Sequence, residues 1–100
     1  MGKSLSIMVN GILFPTKTAL ASYVRYLIGR YPVGCDVEGS DRNFCLALFE
    51  YHPDAASKLA SGVNRIEVRL DTYGNKHFQL HRQNESEDDI SWHWCVRHAK

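Results

Sequence analysis

The fold is decided by residues 63–82, VNRIEVRLDTYGNKHFQLHR. In its first part, apolar and charged side chains alternate, at Ile66, Val68 and Leu70 against Arg65, Glu67 and Arg69. After the turn residues Asp71–Asn75 the alternation returns, at Phe78 and Leu80 against His77, Gln79 and His81. Strict alternation is typical of a half-buried strand. The stretch therefore predicts two antiparallel strands whose five apolar residues are buried and whose Arg65, Arg69 and His77 are exposed.

A third strand is predicted downstream of this pair. Ile90, Trp92, Trp94 and Val96 alternate with polar residues, and the acidic segment Glu85–Asp89 reads as the preceding loop. Three consecutive antiparallel strands joined by short loops form a meander. The C-terminal third of the chain is thus expected to be one three-stranded sheet.

The N-terminal part predicts a hairpin and a helix. Asn10-Gly11 favours a tight turn within Leu5–Phe14. A helix follows, with Thr16 as its cap and Pro32-Val33-Gly34 as its end. Its apolar stripe is Leu20, Val24, Leu27, Ile28 and Tyr31.

Two further helices are predicted before the sheet. Ser40 or Asp41 caps the first, which buries a stripe and ends near His52, because the residue before a proline avoids helical geometry. The stripe is Phe44, Cys45, Leu48 and Phe49. Pro53 suits the first position of a short third helix that stops at Gly62. Helices followed by a run of strands predict an α+β fold in one domain, residues 1–100.

Composition and charge exclude several classes of protein. The chain is 44% hydrophobic and 23% charged, as globular domains are, and it has no apolar run of the roughly 18 residues that would span a membrane. Met1–Asn10 lacks the features of a signal peptide. Three cysteines make a poor disulfide framework. We therefore expect a cytoplasmic protein with reduced thiols and no membrane interaction.

The net charge of +1 is too small to indicate a class of partner, but the charged residues are unevenly distributed along the chain. Residues 1–35 carry Lys3, Lys17, Arg25 and Arg30 and no carboxylate, whereas Glu85–Asp89 is strongly acidic. Such a dipolar molecule can steer a charged partner. The alternative is an ordinary solvated surface.

The histidines and cysteines predict neither a metal site nor a catalytic centre. On a strand, His77 and His81 lie about 13 Å apart, too far to share a zinc ion, and the cysteines lack C-x-x-C spacing. Cys95 shares a predicted strand face with His93, as a nucleophile and its base would. Packing in the core is the alternative for Cys95. We expect no catalytic residue, no metal and no cofactor.

Binding is the better-supported hypothesis. The outer faces of the first two strands carry Arg65, Arg69, His77 and His81, and the first helix carries Arg25 and Arg30 beside Tyr26. Basic patches of this kind bind phosphates. Trp92 and Trp94 share a predicted strand face, where they either pack in the core or stack on unpaired bases.

An ordered series of residues resembles a known family. The series is Val9-Asn10-Gly11, Arg30-Tyr31, Gly34, His52-Pro53, Lys58, Gly62-Val63, Ile66, Val68, Phe78, Arg82, Asp89-Ile90-Ser91 and Cys95. It is similar to the DCL ("defective chloroplasts and leaves") domain. That domain is also found in the C-terminal tail of the largest subunit of plant RNA polymerase V and in stand-alone bacterial and phage proteins. The chain departs from the family pattern at His77, where the family tends to have a cysteine.

The resemblance implies a module involved with RNA and no established catalytic residues. The first hypothesis is therefore a non-catalytic module that binds RNA or single-stranded DNA. The alternative is a small bacterial or phage protein-interaction or inhibitor module with a protein partner.

Overall fold

The described chain begins with the hairpin that Asn10-Gly11 predicts. The computed structural model describes residues 6–100, so Leu5, where the predicted hairpin starts, and Lys3 lie outside the described residues. Strands β1 (Ile7–Val9) and β2 (Ile12–Phe14) pair antiparallel. Asn10 and Gly11 have φ angles of 49° and 82°, as the two central residues of a type I′ turn require. The hairpin is confirmed.

Helix α1 (Lys17–Gly29) follows directly. The Thr16 hydroxyl accepts a hydrogen bond of 3.0 Å from the Ala19 amide, so the predicted cap is confirmed. The predicted stripe is buried over Leu20, Val24, Leu27 and Ile28, and Tyr31 is half-buried just beyond the helix. The helix ends at Gly29, before the predicted stop at residues 32–34.

Replacing Gly11 and Gly29 by alanine is expected to change stability in opposite directions. Gly11 has a φ of +82°, where a Cβ costs about 1–2 kcal/mol. At Gly29 the φ is not positive and a Cβ would meet nothing within 4 Å, so Gly29→Ala should raise the free energy of unfolding by about 0.4–1 kcal/mol. Urea titration measures both. The prediction would be contradicted if Gly11→Ala unfolded with the same free energy as the wild-type protein, or if Gly29→Ala unfolded with a lower one.

Helices α2 (Gly39–Phe49) and α3 (Ala55–Lys58) lie between α1 and the sheet. The predicted stripe of α2 is buried at Phe44, Cys45, Leu48 and Phe49, but the boundaries of both helices differ from the prediction. Ser40 and Asp41 are inside the first turn of α2 and do not cap it, because Asp41 bonds to Arg30 instead. The helix ends before His52, and α3 begins two residues after Pro53.

The sheet consists of β3 (Val63–Leu70), β4 (Lys76–Arg82) and β5 (Glu87–Ile90), in that order and antiparallel. Its buried face carries Ile66, Val68, Phe78 and Leu80, as predicted. Leu70 is 51% exposed, so its predicted burial is wrong. It pairs with Lys76 next to the turn of the β3–β4 hairpin, beyond the core.

The predicted third strand, residues 90–96, is wrong. Strand β5 instead falls on the acidic segment that was predicted to be a loop, and Ile90 is its last residue. Acidic residues are poor strand formers. Here Asp88 bonds to Arg82 and Lys58, and Ile90 is buried opposite Phe78, so tertiary contacts outweigh propensity.

Helix α4 (Trp92–His98) takes the place of the predicted strand. Trp92, Cys95, Val96 and Ala99 are buried, a spacing of three and four residues that belongs to a helix. Trp94 is 46% exposed, so the two tryptophans do not share a face. The alternation of Ile90, Trp92, Trp94 and Val96 concealed this helical period.

The architecture is an α+β fold with one hydrophobic core between the helices and the sheet. The segment 34–37 also pairs with the outer edge of β3, through bonds to the backbones of Ile66 and Val68. Residues 6–100 include no helix that is both long and apolar enough to cross a membrane. All three cysteines are free, and Cys35 alone of them is exposed.

Candidate functional site

The outer face of the sheet brings together the residues that the sequence predicted. Arg65 lies opposite His81, and Arg69 lies opposite His77. The two outward faces therefore coincide, as the alternation required. The centre of this face is occupied by Glu67, however, which pairs with Gln79 across the strands.

Glu67 holds an ion network together on this face. Its Oε1 accepts hydrogen bonds from Arg69 Nε at 3.0 Å and from His81 Nε2 at 2.7 Å. Burial alone would raise the pKa of Glu67, but the hydrogen bond from His81 and the charge of Arg69 lower it. Glu67 is thus a fixed negative charge in the middle of the predicted basic patch.

Both arginines of the sheet face are paired with carboxylates. Arg65 donates to both carboxylate oxygens of Asp36, at 2.9 and 3.1 Å. Arg69 lies 3.1 Å from Glu87 in addition to its bond to Glu67. Two guanidinium groups therefore face three carboxylates, of Asp36, Glu67 and Glu87. Because the positive charge is already compensated, this face attracts phosphates weakly.

His77 is half-buried, so its predicted exposure is wrong. Its Nε2 lies 3.2 Å from Gln79 Oε1, whereas its Nδ1 is buried without a partner. His81 is engaged with Glu67, so the two imidazoles have different partners. Among residues 6–100, no three histidine, cysteine or acidic side chains are grouped so that they could hold a metal ion.

The two arginines of the second predicted patch, on α1, contact different parts of the structure. Arg30 donates to both oxygens of Asp41, at 2.8 and 2.9 Å, and its guanidinium lies 5.0 Å from the ring of Tyr26. Arg25 instead lies 5.4 Å from the ring centre of Trp92 on α4. Arg25 and Arg30 therefore do not act as one patch.

A different basic surface forms where α1 packs on α4. Lys17, at the start of α1, donates to the carbonyl of Arg97 at the end of α4, while Arg25 stacks on Trp92 at its start. The two helices therefore run antiparallel. We call their exposed side the α1–α4 surface. Its members are Lys17, Arg25, His93, Trp94, Arg97 and His98.

Positive charge on the α1–α4 surface is uncompensated. Neither helix contains an acidic residue. Within the described part of the chain, Lys17, Arg25 and Arg97 take part in no ion pair, in contrast to Arg65 and Arg69. Burial, followed by the charge of Arg25, lowers the pKa of His93, as expected for a partly buried imidazole close to a cation.

The α1–α4 surface is also aromatic. The Arg97 guanidinium lies 5.0 Å from the ring centre of Trp94, and the His98 ring stacks against the same indole at 5.7 Å. The sequence prediction missed this surface because residues 90–96 were predicted to be a strand. The buried positions 92, 95, 96 and 99 carried the signal that would have revealed a helix.

The cysteine–histidine pair considered for catalysis is not assembled. Cys95 and His93 lie two apart on α4 and so do not face each other; Cys95 is buried and His93 exposed. The Cys95 thiol donates to the carbonyl of Ser91 at 3.4 Å. Burial raises the pKa of Cys95 to about 12, so the thiolate is scarce at neutral pH. The strand-based prediction that they share a face is wrong.

Comparison with known proteins places the chain in a family. The model of a family described as a protein of unknown function (DUF3223) matches residues 25–96, so the chain belongs to that family. The chain is similar to an uncharacterized protein from Rhodospirillum rubrum whose structure was solved by solution NMR. Identity is 33% and the TM-score is 0.86, over 95% of this chain and 91% of that chain. No curated protein matches the sequence.

Proposed function

We propose that this member of the DUF3223 family is a non-catalytic module that binds single-stranded nucleic acid, with RNA as the expected ligand, through the α1–α4 surface. One observation carries the proposal: Lys17, Arg25 and Arg97 lie on two adjacent helices that contain no carboxylate. Affinity for a polyanion must come from a local patch, because the whole chain has a net charge of only +1.

The chemistry of the surface suits an unpaired strand. A guanidinium that stacks on an aromatic ring keeps its N–H groups free for phosphate oxygens. Arg25 and Arg97 are both held in this way, over Trp92 and Trp94. Trp94 is 46% exposed, and exposed aromatic rings stack on successive bases in single strands.

Further support comes from the resemblance to the DCL family, which implies a role with RNA. The raised pKa of Cys95 supports a module without a cysteine nucleophile. Free thiols at all three cysteines suit a reducing compartment. We therefore include a cytoplasmic location in the proposal.

Removal of Arg25 and Arg97 is expected to weaken binding and to flatten its salt dependence. Each phosphate contact on a single strand contributes about −0.7 to the slope of log K against log salt, so the loss of two contacts should flatten the slope by about 1.4. Fluorescence anisotropy with a labelled single-stranded RNA at several salt concentrations measures this. Arg25→Ala/Arg97→Ala should leave the fold intact, since both side chains are exposed.

The matched control is Arg65→Ala/Arg69→Ala. Both double variants lower the net charge by two. A difference in binding between them therefore depends on where the arginines lie and not on the total charge. If only the control variant weakens binding, the interface is the outer face of the sheet. If the wild-type protein shows no salt-sensitive binding at low ionic strength, the proposal fails. A pull-down that retains its partner after nuclease treatment would then favour the protein-interaction alternative.

A further inference from the structure

A pocket adjoins the α1–α4 surface. It has a volume of about 430 Å³ and lies between the turn before α3, the end of β5 and α4. Its lining consists of His52, Pro53, Asp54, Lys58, Asp89, Ser91 and Trp94. This volume falls within the range of about 300–1,000 Å³ that is typical of sites for small organic groups.

His52 supplies a buried donor to this pocket. The side chain is 8% exposed, and its Nδ1 accepts a hydrogen bond of 2.9 Å from the Asp54 amide. Burial, followed by the charge of Lys58, lowers the pKa of His52, so the ring is neutral at pH 7 and carries its proton on Nε2. Nε2 has no partner among residues 6–100 and is not fully enclosed, so it is free to bond to a group in the pocket.

The acceptors in the pocket are the Asp54 carboxylate and the backbone of Asp89, whose own side chain lies on the outer face of the sheet beside Gln79. The Asp54 side chain makes no ion pair with another described residue. The Lys58 ammonium, which could neutralise it, is engaged by Asp88 Oδ2 at 3.1 Å and by the carbonyl of Asp89 at 2.8 Å. A phosphate is therefore excluded from the pocket, whereas a neutral group with N–H donors is favoured.

Trp94 joins the pocket to the α1–α4 surface. Its indole lines the pocket, and its ring lies 5.0 Å from the guanidinium of Arg97. A planar ring that stacks on Trp94 can thus enter the pocket while a phosphate attached to it reaches Arg97. One donor, one carboxylate and an aromatic face complement the edge and face of a nucleobase.

We propose that this pocket binds one unpaired base of the strand and prefers bases with an exocyclic amino group, such as cytosine, over uracil. The proposal rests on the proposed function. An amino group donates to the Asp54 carboxylate, while a ring nitrogen or carbonyl accepts from His52. Uracil presents a carbonyl where cytosine presents the amino group, and that carbonyl would face a carboxylate.

The test compares single-stranded decamers of cytidine and uridine, which have rings of the same size. The wild-type protein is expected to bind the cytidine decamer about fivefold or more tightly, in line with the discrimination of a good base contact. Asp54→Asn should reduce this ratio to about one, because an amide presents a donor as well as an acceptor. Glu50→Gln removes one negative charge at an exposed position outside the pocket lining and should keep the ratio.

The possible failures are distinguishable. Equal binding of the two decamers by the wild-type protein, with dependence on Arg25 and Arg97 retained, overturns the pocket proposal and leaves the proposed function standing. Absence of binding to both decamers overturns the two together. Quenching of tryptophan fluorescence by N-acetyl-arginine amide but by neither decamer, with the quenching lost in Trp94→Phe, would identify the pocket as a site for a cationic side chain of a protein, which also overturns the proposal.

Discussion

Leu80→Ala is expected to lower the free energy of unfolding by about 2–5 kcal/mol, the range of a leucine truncation in a packed core. Leu80 is fully buried on the central strand β4 and pairs with Ile66 and Asp88 on the two neighbouring strands. Because it has strands on both sides and helices above it, little can move to fill the cavity. The loss should therefore be large, and it is measured by urea titration at pH 7.

Leu70→Ala is the matched control for this change. It makes the same truncation in the same sheet, but Leu70 is 51% exposed, and exposed substitutions usually change stability by less than about 0.5 kcal/mol. The alternation in the sequence predicted that both leucines are buried, whereas the structure buries only Leu80. Comparison of the two variants therefore tests which of the two descriptions is correct for Leu70. Similar losses in both variants would show that the end of the β3–β4 hairpin is packed.

The strands β3 and β4 could be predicted because their apolar residues alternate from Ile66 to Leu70 and from Phe78 to Leu80, and a turn separates them. Helix α1 could be predicted from its capping threonine and its apolar stripe. These local signals gave the start of α1 but not its end, which falls at Gly29, before the predicted stop. Helix α2 shows the limit, because Asp41 had a better partner in Arg30 than in the helix N-terminus.

The end of the chain could not be predicted, because its local signals point the wrong way. Strand β5 is composed mainly of acidic residues. Asp88 is stabilised there by the cations of Arg82 on the neighbouring strand and of Lys58, 30 residues away in sequence. In residues 90–96 the apolar residues recur at every second position, as in a strand, and this alternation hid the 3.6-residue period of helix α4. Because this segment was predicted to be a strand, the α1–α4 surface was not predicted at all.

The sheet face shows a different limit for site prediction. Alternation correctly placed Arg65, Arg69 and His81 on one face. It did not show that Asp36, from a segment paired with β3, and Glu87, from β5, would reach the same arginines. Whether a basic residue is free for a ligand depends on carboxylates far away in the sequence.

Asp88→Asn is expected to lower the free energy of unfolding by about 1–3 kcal/mol at pH 7, the usual cost when charged hydrogen-bond donors lose their partner. Asp88 Oδ2 accepts from Arg82 at 2.8 Å and from Lys58 at 3.1 Å. The two cationic side chains are only 15% and 16% exposed. Without the negative charge, they would repel each other in a half-buried site.

The cost of this substitution should depend on pH with a definite sign. Burial alone would raise the pKa of Asp88, but the bonds from Arg82 and Lys58 lower it below its ordinary value of 3.8. A carboxyl with a lowered folded-state pKa stabilises the fold above its unfolded pKa and loses this effect as the pH falls through the folded value. The wild-type protein should therefore lose the contribution below about pH 4, whereas the variant has none to lose.

Urea titrations at pH 7, 5 and 3 measure this dependence. The difference in unfolding free energy between the wild-type protein and Asp88→Asn should be the same at pH 7 and 5 and smaller at pH 3. Asp89→Asn is the control, since Asp89 is exposed and its side chain bonds to no other described residue. A difference that stayed constant down to pH 3 would show that Asp88 acts through shape and not through charge. The pairing of the acidic strand β5 with β4 would then need an explanation other than the charge of Asp88.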